Sequence, residues 1–585
     1  MKQTHYHTCN LCEAMCGIEI DHMGDEILAI RGDNADPLSR GHICPKGVAL
    51  QDLHNDPDRL RHPVKRTKDG WVPISWDEAL DETARRLHDI QARHGKNSVG
   101  MYLGNPTAHN HGALFTLLPL INALGTRQRY SATSADQLPH QLATWQLFGH
   151  QALFPIPDID RTDYFMVIGG NPMASNGSIM TVPDIRGRLK SLQERGGKLV
   201  VVDPRRTETA RLADEHDFIR PGSDVYLLLA LLQVMFEELL VAPGRLTDFL
   251  DGQGTLARLV ENWTPEKVAE ATGMTADRIR KLARDIATAP RAAIYSRVGL
   301  TTSAHSTLSA WLVYVINIVT GNLDREGGVM FTKPAFDIVA FGALGGETGS
   351  FDRYRSRVHG YPEFGGEFPV TTLADEMLSP GTGQIKAFIS HAGNPVLSCP
   401  DGNKMDKALS GLEFMVSIDL YINETTRHAD IILPPTGQLE HAQFDPIFQA
   451  VAVRNVGNVK RVHVEGRPDP LLKATRWAML PVAAVSIVFA LEVPQTGILL
   501  TLAFDLLLAC LIVPFILGMY WRRGTAMAAG AAIVVGLVVR LGLFVLTPTM
   551  YGVDNTILYL PNGLFDATFD GYPTFLAFLA SLITY

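Results

Sequence analysis

Cysteine is scarce in this chain and unevenly distributed. Only 6 of the 585 residues are cysteine. Four of them lie within the first 44 residues, whereas Cys399 and Cys510 stand alone. Such clustering in a large chain excludes a disulfide framework and indicates metal ligation in a reducing compartment.

The sequence also lacks a basic stripe interleaved with aromatic residues. Acidic residues outnumber basic ones by 61 to 52, which gives a net charge of -9 and excludes nucleic acid as a partner. Charged residues become rare after about Arg476, where long apolar runs begin. Because 585 residues exceed what one hydrophobic core supports, we expect several domains, with a soluble body followed by a membrane tail.

The first residues carry no export signal. Residues 1–5 lead directly into the first cysteine motif, without an apolar segment or a pair of arginines. We therefore expect the soluble body to remain in the cytoplasm.

Apolar runs alternate with helical patterns from Trp76 onward. Residues 77–94 have apolar positions at helical spacing. Four apolar runs have the pattern of buried strands, at 164–168, 199–202, 387–390 and 414–418. This alternation predicts an α/β fold whose parallel sheets are covered on both faces.

The most specific motif is Cys9-x2-Cys12-x3-Cys16, closed by Cys44 and followed by Pro45-Lys46-Gly47. Four thiolates suit a [4Fe–4S] cluster, in which each iron takes one protein sulfur. A structural zinc site is the alternative, but such sites usually pair two C-x2-C motifs. Lys46 is either a solvated surface lysine or a cationic bridge toward a second redox centre.

Small and polar residues follow the predicted strands. In open α/β sheets, ligands bind beyond the carboxyl ends of the strands, where glycine permits close approach and arginine holds phosphate. Residues of this kind occur as GGNP at 169–172, DPRRT at 203–207 and PGSD at 221–224. Since GNP at 393–395 and Asp419 repeat the pattern, the sequence predicts two nucleotide moieties in two related lobes.

Taken in order over residues 5–445, these motifs resemble the prokaryotic molybdopterin oxidoreductases, which include formate dehydrogenases and nitrate reductases. The resemblance implies a molybdenum or tungsten bis-(molybdopterin guanine dinucleotide) cofactor between the two lobes, with Lys46 between the cluster and a pterin. It assigns nine residues to the cofactor: Gly170, Asn171, Asp203, Arg205, Thr207 and Asp224 to one dinucleotide, Asn394 and Asp419 to the other, and Thr302 near the metal. A small-molecule substrate and an electron-carrier protein or partner redox subunit are implied as well.

One loop departs from the family pattern. The metal usually takes a cysteine, selenocysteine, serine or aspartate from a loop that here covers residues 130–140, which contain no cysteine. The resemblance therefore points to an oxygen ligand, and Ser131, Ser134 and Asp136 are the candidates that this loop offers. His140 is either a proton-transfer group or a histidine at the start of a helix without a catalytic role.

The last part of the chain is apolar. Runs at 477–491, 497–520 and 525–546 predict about three transmembrane helices, with the basic groups around Arg476 and Arg522 on the cytoplasmic side. Residues 468–547 resemble the last helices of the sodium/solute symporter family. The family domain that would close over both dinucleotides is not recognisable, so weak cofactor retention is expected. Five segments result: 1–60, 61–445, a junction at 446–470, helices within 471–550, and a tail at 551–585.

Three functions compete on this evidence. The first is a membrane-attached molybdenum or tungsten oxidoreductase whose cluster relays electrons. The second is a component of membrane transport with a degenerate soluble part. The third is an incomplete fusion product with impaired cofactor binding. Intact motifs from Cys9 to Pro434 favour the first.

Overall fold

A computed structural model describes residues 2–344, 346, 348–457, 512–513, 526–555 and 559–585. The chain divides into two compact units, one within Met1–His463 and the other within Val464–Tyr585. The predicted sites all belong to the first unit.

The first unit begins with a small antiparallel sheet that carries the cysteine loops. Its elements are β1 (Gln3–Thr8), β2 (Gly17–Met23), β3 (Glu26–Gly32), α1 (Pro45–Val48) and α2 (Leu50–Asn55). The strands pair in the order β1-β2-β3, and the loop between β1 and β2 holds the first three cysteines. Cys44 directly precedes α1, which Pro45 can start because the first helical position needs no backbone N–H.

Residues 64–148 form the first portion of an α/β lobe. Its elements are β4 (Val64–Thr67), β5 (Gly70–Pro73), α3 (Trp76–His94), β6 (Val99–Leu103), α4 (His111–Leu124), β7 (Arg129–Ser131), α5 (Thr133–Asp136) and α6 (Leu138–Phe148). Helix α3, predicted for residues 77–94, begins where Ser75 Oγ accepts a hydrogen bond from the Glu78 N–H and ends at Gly95, whose φ is 85°.

Residues 156–330 form a second lobe inserted into the first. Its strands are β8 (Ile156–Pro157), β9 (Tyr164–Ile168), β10 (Lys198–Val202), β11 (Glu215–Asp217), β12 (Ala292–Ser296) and β13 (Val329–Met330). Its helices are α7 (Pro172–Ser175), α8 (Ile185–Glu194), α9 (Glu208–Leu212), α10 (Asp224–Glu237), α11 (Gln253–Val260), α12 (Pro265–Thr272), α13 (Ala276–Thr288), α14 (Val298–Thr301) and α15 (Ser306–Val319).

Residues 338–433 complete the first lobe. Its helices here are α16 (Ile338–Leu344), α17 (Leu373–Leu378), α18 (Pro395–Ser398) and α19 (Gly402–Ser410). Its strands are β14 (Phe351–Arg355), β15 (Pro362–Phe364), β16 (Ala387–His391), β17 (Phe414–Ile418) and β18 (Ile431–Leu433).

Two sheets organise these lobes. The inserted lobe has a parallel sheet in the order β11-β10-β9-β12. The other sheet has the order β5-β4-β18-β17-β16-β6-β7, in which the five strands from β18 to β7 are parallel and β4 and β5 form an antiparallel edge. The predicted α/β fold and its four buried strands are therefore confirmed.

The strands of the inserted lobe are buried because helices cover both faces of its sheet. Every residue of β9 and of β12 is buried. Side chains of β9 pack alternately into two apolar cores, one shared with α10, α13 and α15 and the other with α8. This packing fixes the carboxyl ends of the strands, where the predicted site lies.

The second unit contains an apolar helix pair, α20 (Ala526–Leu546) and α21 (Tyr572–Thr584), with a short hairpin of β19 (Thr549–Met550) and β20 (Val553–Asp554). By length and composition, one stretch among the described residues is suited to cross a membrane, Ala528–Leu546. The predicted runs at 477–491 and 497–520 lie outside the described residues except for 512–513. Three transmembrane helices are thus not confirmed, and the predicted tail at 551–585 contains helix α21.

Candidate cofactor-binding site

The four motif cysteines gather at one end of the small sheet. The Cys9 N–H donates to the Cys16 carbonyl at 2.8 Å, which closes the loop, and Met15 takes a positive φ of 48° within it. Cys44 reaches the same place from the start of α1, where a Cβ on Gly47 would lie 3.8 Å from Cys9 Sγ. All four thiols are free.

Their electrostatics fit ligation of metal cations. Burial, together with the charges of Cys12 and Cys44, raises the pKa of Cys9 to about 12, so this thiol is neutral unless a metal cation replaces its proton. Among the described residues, no group of three or more His, Cys, Asp or Glu side chains is arranged to hold a metal ion.

Two charged residues lie beside the cysteines. Lys46 is exposed on α1, and its positive charge lowers the pKa values of Cys9 and Cys12. Glu13, between the second and third cysteines, accepts a hydrogen bond from the Ile179 N–H at 3.1 Å. Glu13 therefore joins the cysteine loop to the inserted lobe, a contact that the sequence analysis missed.

A cavity of about 300 Å³ opens at the carboxyl ends of β9, β10 and β12. Its lining combines predicted residues with others that were not predicted. The predicted ones are Asp136, Gly170, Asn171, Asp203, Arg205 and Thr207, and the others include Ser175, Ser178, Arg297 and Val298. Five of the six residues predicted for one dinucleotide thus lie around one space, as expected for strands that end at the same sheet edge, whereas Asp224 is not part of this lining.

Glycine is required where two strand ends meet in this cavity. A Cβ on Gly169, whose φ is 58°, would lie 2.7 Å from the Leu300 nitrogen, and a Cβ on Gly299 would lie 2.8 Å from Gly169 Cα. Neither position tolerates a side chain, so glycine at both positions lets the two backbone segments approach each other at the edge of the cavity.

Asn171 connects the loops that follow β9 and β10. Its Nδ2 donates to Glu208 Oε2 at 2.7 Å, and its Oδ1 accepts from Thr209 Oγ1 at 2.8 Å. Thr209 Oγ1 in turn accepts from the Met173 N–H at 3.1 Å. The asparagine fixes the shape of the cavity edge with both atoms of its side-chain amide.

The same network recurs beyond β16 and β17. Asn394 Nδ2 donates to Glu424 Oε2 at 2.8 Å, and Asn394 Oδ1 accepts from Thr425 Oγ1 at 2.6 Å. Thr425 Oγ1 accepts from the Val396 N–H at 3.2 Å. In both lobes the strand is followed by a residue with φ near 50–60°, Gly169 in one and Ala392 in the other. The two crevices are therefore built alike.

Of the aspartates assigned to nucleotide binding, Asp203 and Asp224 are buried and Asp419 is half-buried. Burial raises the pKa of Asp203 and of Asp419. Burial, together with the nearby Asp203 carboxylate, raises the pKa of Asp224 to about 6. Arg205 differs, because its side chain is 72% exposed and pairs with Glu208 at 3.9 Å.

The candidate metal-ligand loop is largely helical, since it forms α5 and the start of α6. Ser131 Oγ donates to Glu367 Oε2 at 2.6 Å, and Ser134 Oγ accepts from the Val370 N–H at 2.9 Å. Both serines are thus engaged with residues 367–370. Asp136 is the one of the three candidates that lines the cavity, and burial raises its pKa while Arg297 opposes that shift.

His140 does not reach the cavity. Its ring is buried beneath the cavity, with Nδ1 at 3.0 Å from the Tyr314 hydroxyl and Nε2 at 3.5 Å from Ser296 Oγ. Burial, with the positive charge of Arg297, lowers the pKa of His140 to about 3. Because the neutral imidazole neither lines the cavity nor titrates near neutrality, these observations favour a structural role over proton transfer.

A pH-dependent stability measurement tests that role. The unfolded chain takes up a proton at this histidine below about pH 6.5, whereas the folded chain does so only near pH 3. Stability is therefore lost as the pH falls through this window, and His140→Gln should lessen that loss by up to about 1.4 kcal/mol per pH unit. Urea unfolding between pH 6 and 4 measures it. Exposed His88→Gln is the control, and an equal slope in parent and His140→Gln would contradict the assignment.

The structure places Thr302 outside the cavity and Arg297 in its lining. Thr302 is exposed at the end of α14, where its Oγ1 donates to the Val298 carbonyl at 2.7 Å, so it is turned to its own helix rather than to the cavity. The residue missed there is Arg297, which directly follows β12 and is 4% exposed. A lone arginine between a buried strand and a glycine was its only sequence signal.

Comparison with known proteins agrees with this geometry. The model of the Molybdopterin oxidoreductase family matches residues 59–445, and that of the Molybdopterin oxidoreductase Fe4S4 domain matches residues 3–56. The thiosulfate reductase molybdopterin-containing subunit of Salmonella typhimurium is 28% identical, over 74% of this chain and 58% of that protein. Formate dehydrogenase H of Escherichia coli is 27% identical, over 74% of this chain and 62% of that protein.

Two further comparisons extend the match. A nitrate reductase of Symbiobacterium thermophilum is 28% identical, over 82% of this chain and 65% of that protein. The fold is also that of acetylene hydratase from Pelobacter acetylenicus, with a TM-score of 0.63 and 22% identity over 78% of this chain and 66% of that one. The chain spans about three fifths of the length of the curated relatives it matches.

Proposed function

Because the chain belongs to the molybdopterin oxidoreductase family and begins with its Fe4S4 domain, we propose that it is a catalytic subunit that moves two electrons between a small substrate and an external carrier. When bound, the pterin-held molybdenum or tungsten supplies two-electron chemistry and the [4Fe–4S] cluster passes electrons singly. Cys9, Cys12, Cys16 and Cys44 would hold the cluster.

The duplicated crevice carries the proposal that two pterin dinucleotides bind. Asn171 and Asn394 make matching bonds to a glutamate and a threonine in their own lobes. Asp203 and Asp419 follow matching strands; Asp203 is buried and Asp419 is half-buried, and burial raises the pKa of both. A repeated cradle suits a repeated ligand, which supports the bis-(molybdopterin guanine dinucleotide) form.

We assign the metal-ligand role to Asp136. Ser131 and Ser134 bind residues 367–370, whereas Asp136 lines the cavity shared with the first predicted dinucleotide set. The Arg297 guanidinium, 3.7 Å from Asp136 Oδ2, favours the ionised carboxylate that ligation requires.

The relatives' names suggest the partners. They are named for thiosulfate, formate and nitrate, so a small-molecule substrate of related chemistry is proposed here. An electron-carrier protein or partner redox subunit would accept or supply the electrons near the exposed Lys46. Nucleic acid is not proposed as a partner.

We further propose attachment to the cytoplasmic membrane, with the catalytic part facing the cytoplasm. The 19 residues Ala528–Leu546 are long and apolar enough to span a bilayer. Val534 and Val538 on α20 are exposed, which suits contact with lipid. The resemblance of residues 468–547 to sodium/solute symporters remains a prediction.

Metal and nucleotide analysis tests the proposed function. Anaerobically purified protein should contain about four iron atoms and one molybdenum or tungsten atom per chain. Acid hydrolysis should release two GMP per metal if both crevices hold a dinucleotide. Iron without the second metal would support the incomplete fusion product, and the absence of both would favour the transport alternative.

Lys46→Met should slow electron transfer without removing either metal centre. Burial raises the pKa values of Cys9 and Cys12, and the positive charge of Lys46 opposes that rise, so Lys46 stabilises negative charge at the four cysteines. Turnover with a carrier protein should fall about tenfold or more if that charge assists transfer. Stopped-flow reduction of the cluster measures this rate. Lys68→Met, on an exposed turn, is the control, and unchanged cluster reduction in Lys46→Met would contradict the role.

A further inference from the structure

Helix α4 (His111–Leu124) is apolar on both of its faces although it lies at the surface of the first lobe. None of its 14 residues is Asp, Glu, Lys or Arg. Its inner face packs into the apolar core around β6 through residues such as Leu117 and Leu124. Its outer face carries Phe115 and Leu118, which are 67% and 63% exposed. An apolar outer face of this kind indicates a further contact that covers it.

The segment around this helix is cationic, although the whole chain is acidic. Residues 90–135 contain four Lys or Arg residues and no Asp or Glu, whereas the chain has a net charge of -9. Lys96 and Arg127 are exposed near the carboxyl end of α4, where a Cβ on Gly125 would lie 3.4 Å from Lys96 Nζ. Neither cation pairs with a carboxylate in the part of the chain that the structure describes, and the Arg127 guanidinium lies 4.9 Å from the centre of the Tyr354 ring. The apolar face therefore has two cations beside it that are open to an anionic partner.

The length and the proline of α4 determine how it could meet a lipid bilayer. At about 1.5 Å per residue the helix is about 21 Å long, which is shorter than the ~30 Å hydrocarbon core. Pro119 lies inside the helix and has no N–H to donate to the Phe115 carbonyl. An unpaired carbonyl is costly in hydrocarbon, whereas water satisfies it among the lipid headgroups. Both features favour a helix that lies in the interface over one that crosses the bilayer.

We propose that α4 rests on the surface of a bilayer that contains anionic lipids. Phe115 and Leu118 enter the boundary between headgroups and acyl chains, and Lys96 and Arg127 meet the lipid phosphates. Interfacial helices bind in this way, by combining burial of an apolar face with attraction to anionic lipid. A second copy of the chain would present the same cations to this face, whereas anionic headgroups complement them.

The proposal goes beyond the membrane attachment inferred for α20, because it gives the first unit a membrane contact of its own. It does not depend on the proposed redox activity, since neither the apolar face nor its two cations belong to the candidate cofactor site. Loss of this contact should therefore leave the iron content of the protein unchanged.

Hydrogen exchange of the full chain, measured by mass spectrometry over residues 113–124, tests the contact at α4 itself. The protein is reconstituted in nanodiscs of phosphatidylcholine and in nanodiscs that also contain phosphatidylglycerol, so that α20 has a bilayer in both. Exchange should be slower by about tenfold or more in the anionic discs, because contact with lipid opposes local opening of the helix. High salt should reduce this ratio of exchange rates, because it screens the headgroup charges.

Two double variants assign the effect to particular side chains. Phe115→Ser with Leu118→Ser should bring the ratio of exchange rates close to one, because the apolar contact is lost. Lys96→Gln with Arg127→Gln should lower the ratio by about fivefold for each charge removed, until it approaches one. The ratio is compared rather than the rate, since serine also weakens the helix in both kinds of disc.

Two single variants are the matched controls. Leu259 on α11 is 68% exposed, as much as Phe115 is, and Lys68 is exposed on a turn. Leu259→Ser and Lys68→Gln should leave the exchange ratio of α4 unchanged, because neither side chain belongs to the proposed contact.

Three outcomes would overturn the proposal. One is equal exchange of α4 in the two kinds of disc. Another is slower exchange in anionic discs that persists in both double variants, since the named side chains would then play no part. A third is slow exchange in both kinds of disc that is lost when each disc holds a single copy, which would assign the face to a second copy of the chain. If the double serine variant does not fold, Lys96→Gln with Arg127→Gln still decides the matter.

Discussion

Replacement of Cys12 by alanine should remove the cluster while leaving the protein folded. Each iron of a [4Fe–4S] cluster needs one protein sulfur, so three thiolates cannot complete the cage. Cys12 is half-buried at the edge of the apolar core around Cys9 and Cys16, where loss of its thiol opens little space. Iron should fall from about four atoms per chain to near zero, and the EPR signal of the reduced cluster should disappear.

Cys399→Ala is the matched control for this prediction. Cys399 is also buried, but its thiol contacts Tyr102 and Ser398 in the first lobe rather than the cysteine loop. Its replacement should leave the iron content unchanged, with a modest loss of stability. Stoichiometric zinc in the parent, or four iron atoms in Cys12→Ala, would refute the cluster assignment.

Local sequence patterns were sufficient to predict the α/β fold of the first unit. Strands such as β9 and β17 are buried on both faces, so their sequences are continuous apolar runs that stand out in the chain. Asn171 and Asn394 could also be singled out as site residues from the sequence, because each lies just after a buried strand and directly before a proline. Residues at the carboxyl ends of parallel strands meet by topology, without any knowledge of side-chain packing.

The importance of Arg297 and Glu13 could not be derived in the same way. It depends on burial by elements far away in sequence: Glu13 meets Ile179, and Arg297 meets Asp136. A charged residue beside a strand or within a cysteine loop is usually solvated, and the sequence gives no sign that these two are enclosed. Long-range packing, which a single sequence does not reveal, decides their role.

Packing also separates residues that appeared equivalent in the metal-ligand loop. Ser131, Ser134 and Asp136 lie within six positions of one another and all offer oxygen. The three side chains have different surroundings. Ser131 at the end of β7 and Ser134 in α5 form hydrogen bonds with residues 367–370, whereas Asp136 lines the cavity. His140, one helical turn after Asp136, is directed into the core toward Tyr314. The choice therefore required the fold of residues 350–370, which have no motif of their own.

Asp136→Ala should impair the metal site and leave the cluster intact. The aspartate lines the cavity with Arg297 and Asn171, whereas the cysteines lie in the N-terminal domain. If its carboxylate ligates the metal, X-ray absorption at the molybdenum or tungsten edge should show one oxygen neighbour fewer, and turnover should fall roughly 100-fold or more. The iron content should stay at about four atoms per chain.

Ser131→Ala and Ser134→Ala distinguish ligation from a general disturbance of the loop. Each variant removes an oxygen from the same loop that contains Asp136, and each breaks a hydrogen bond to residues 367–370. Their absorption spectra should match that of the parent, and their loss of stability should be about 1 kcal/mol or somewhat more, as for one buried hydrogen bond. An Asp136→Ala spectrum identical to the parent's, with the oxygen neighbour lost in a serine variant instead, would transfer the ligand role to that serine.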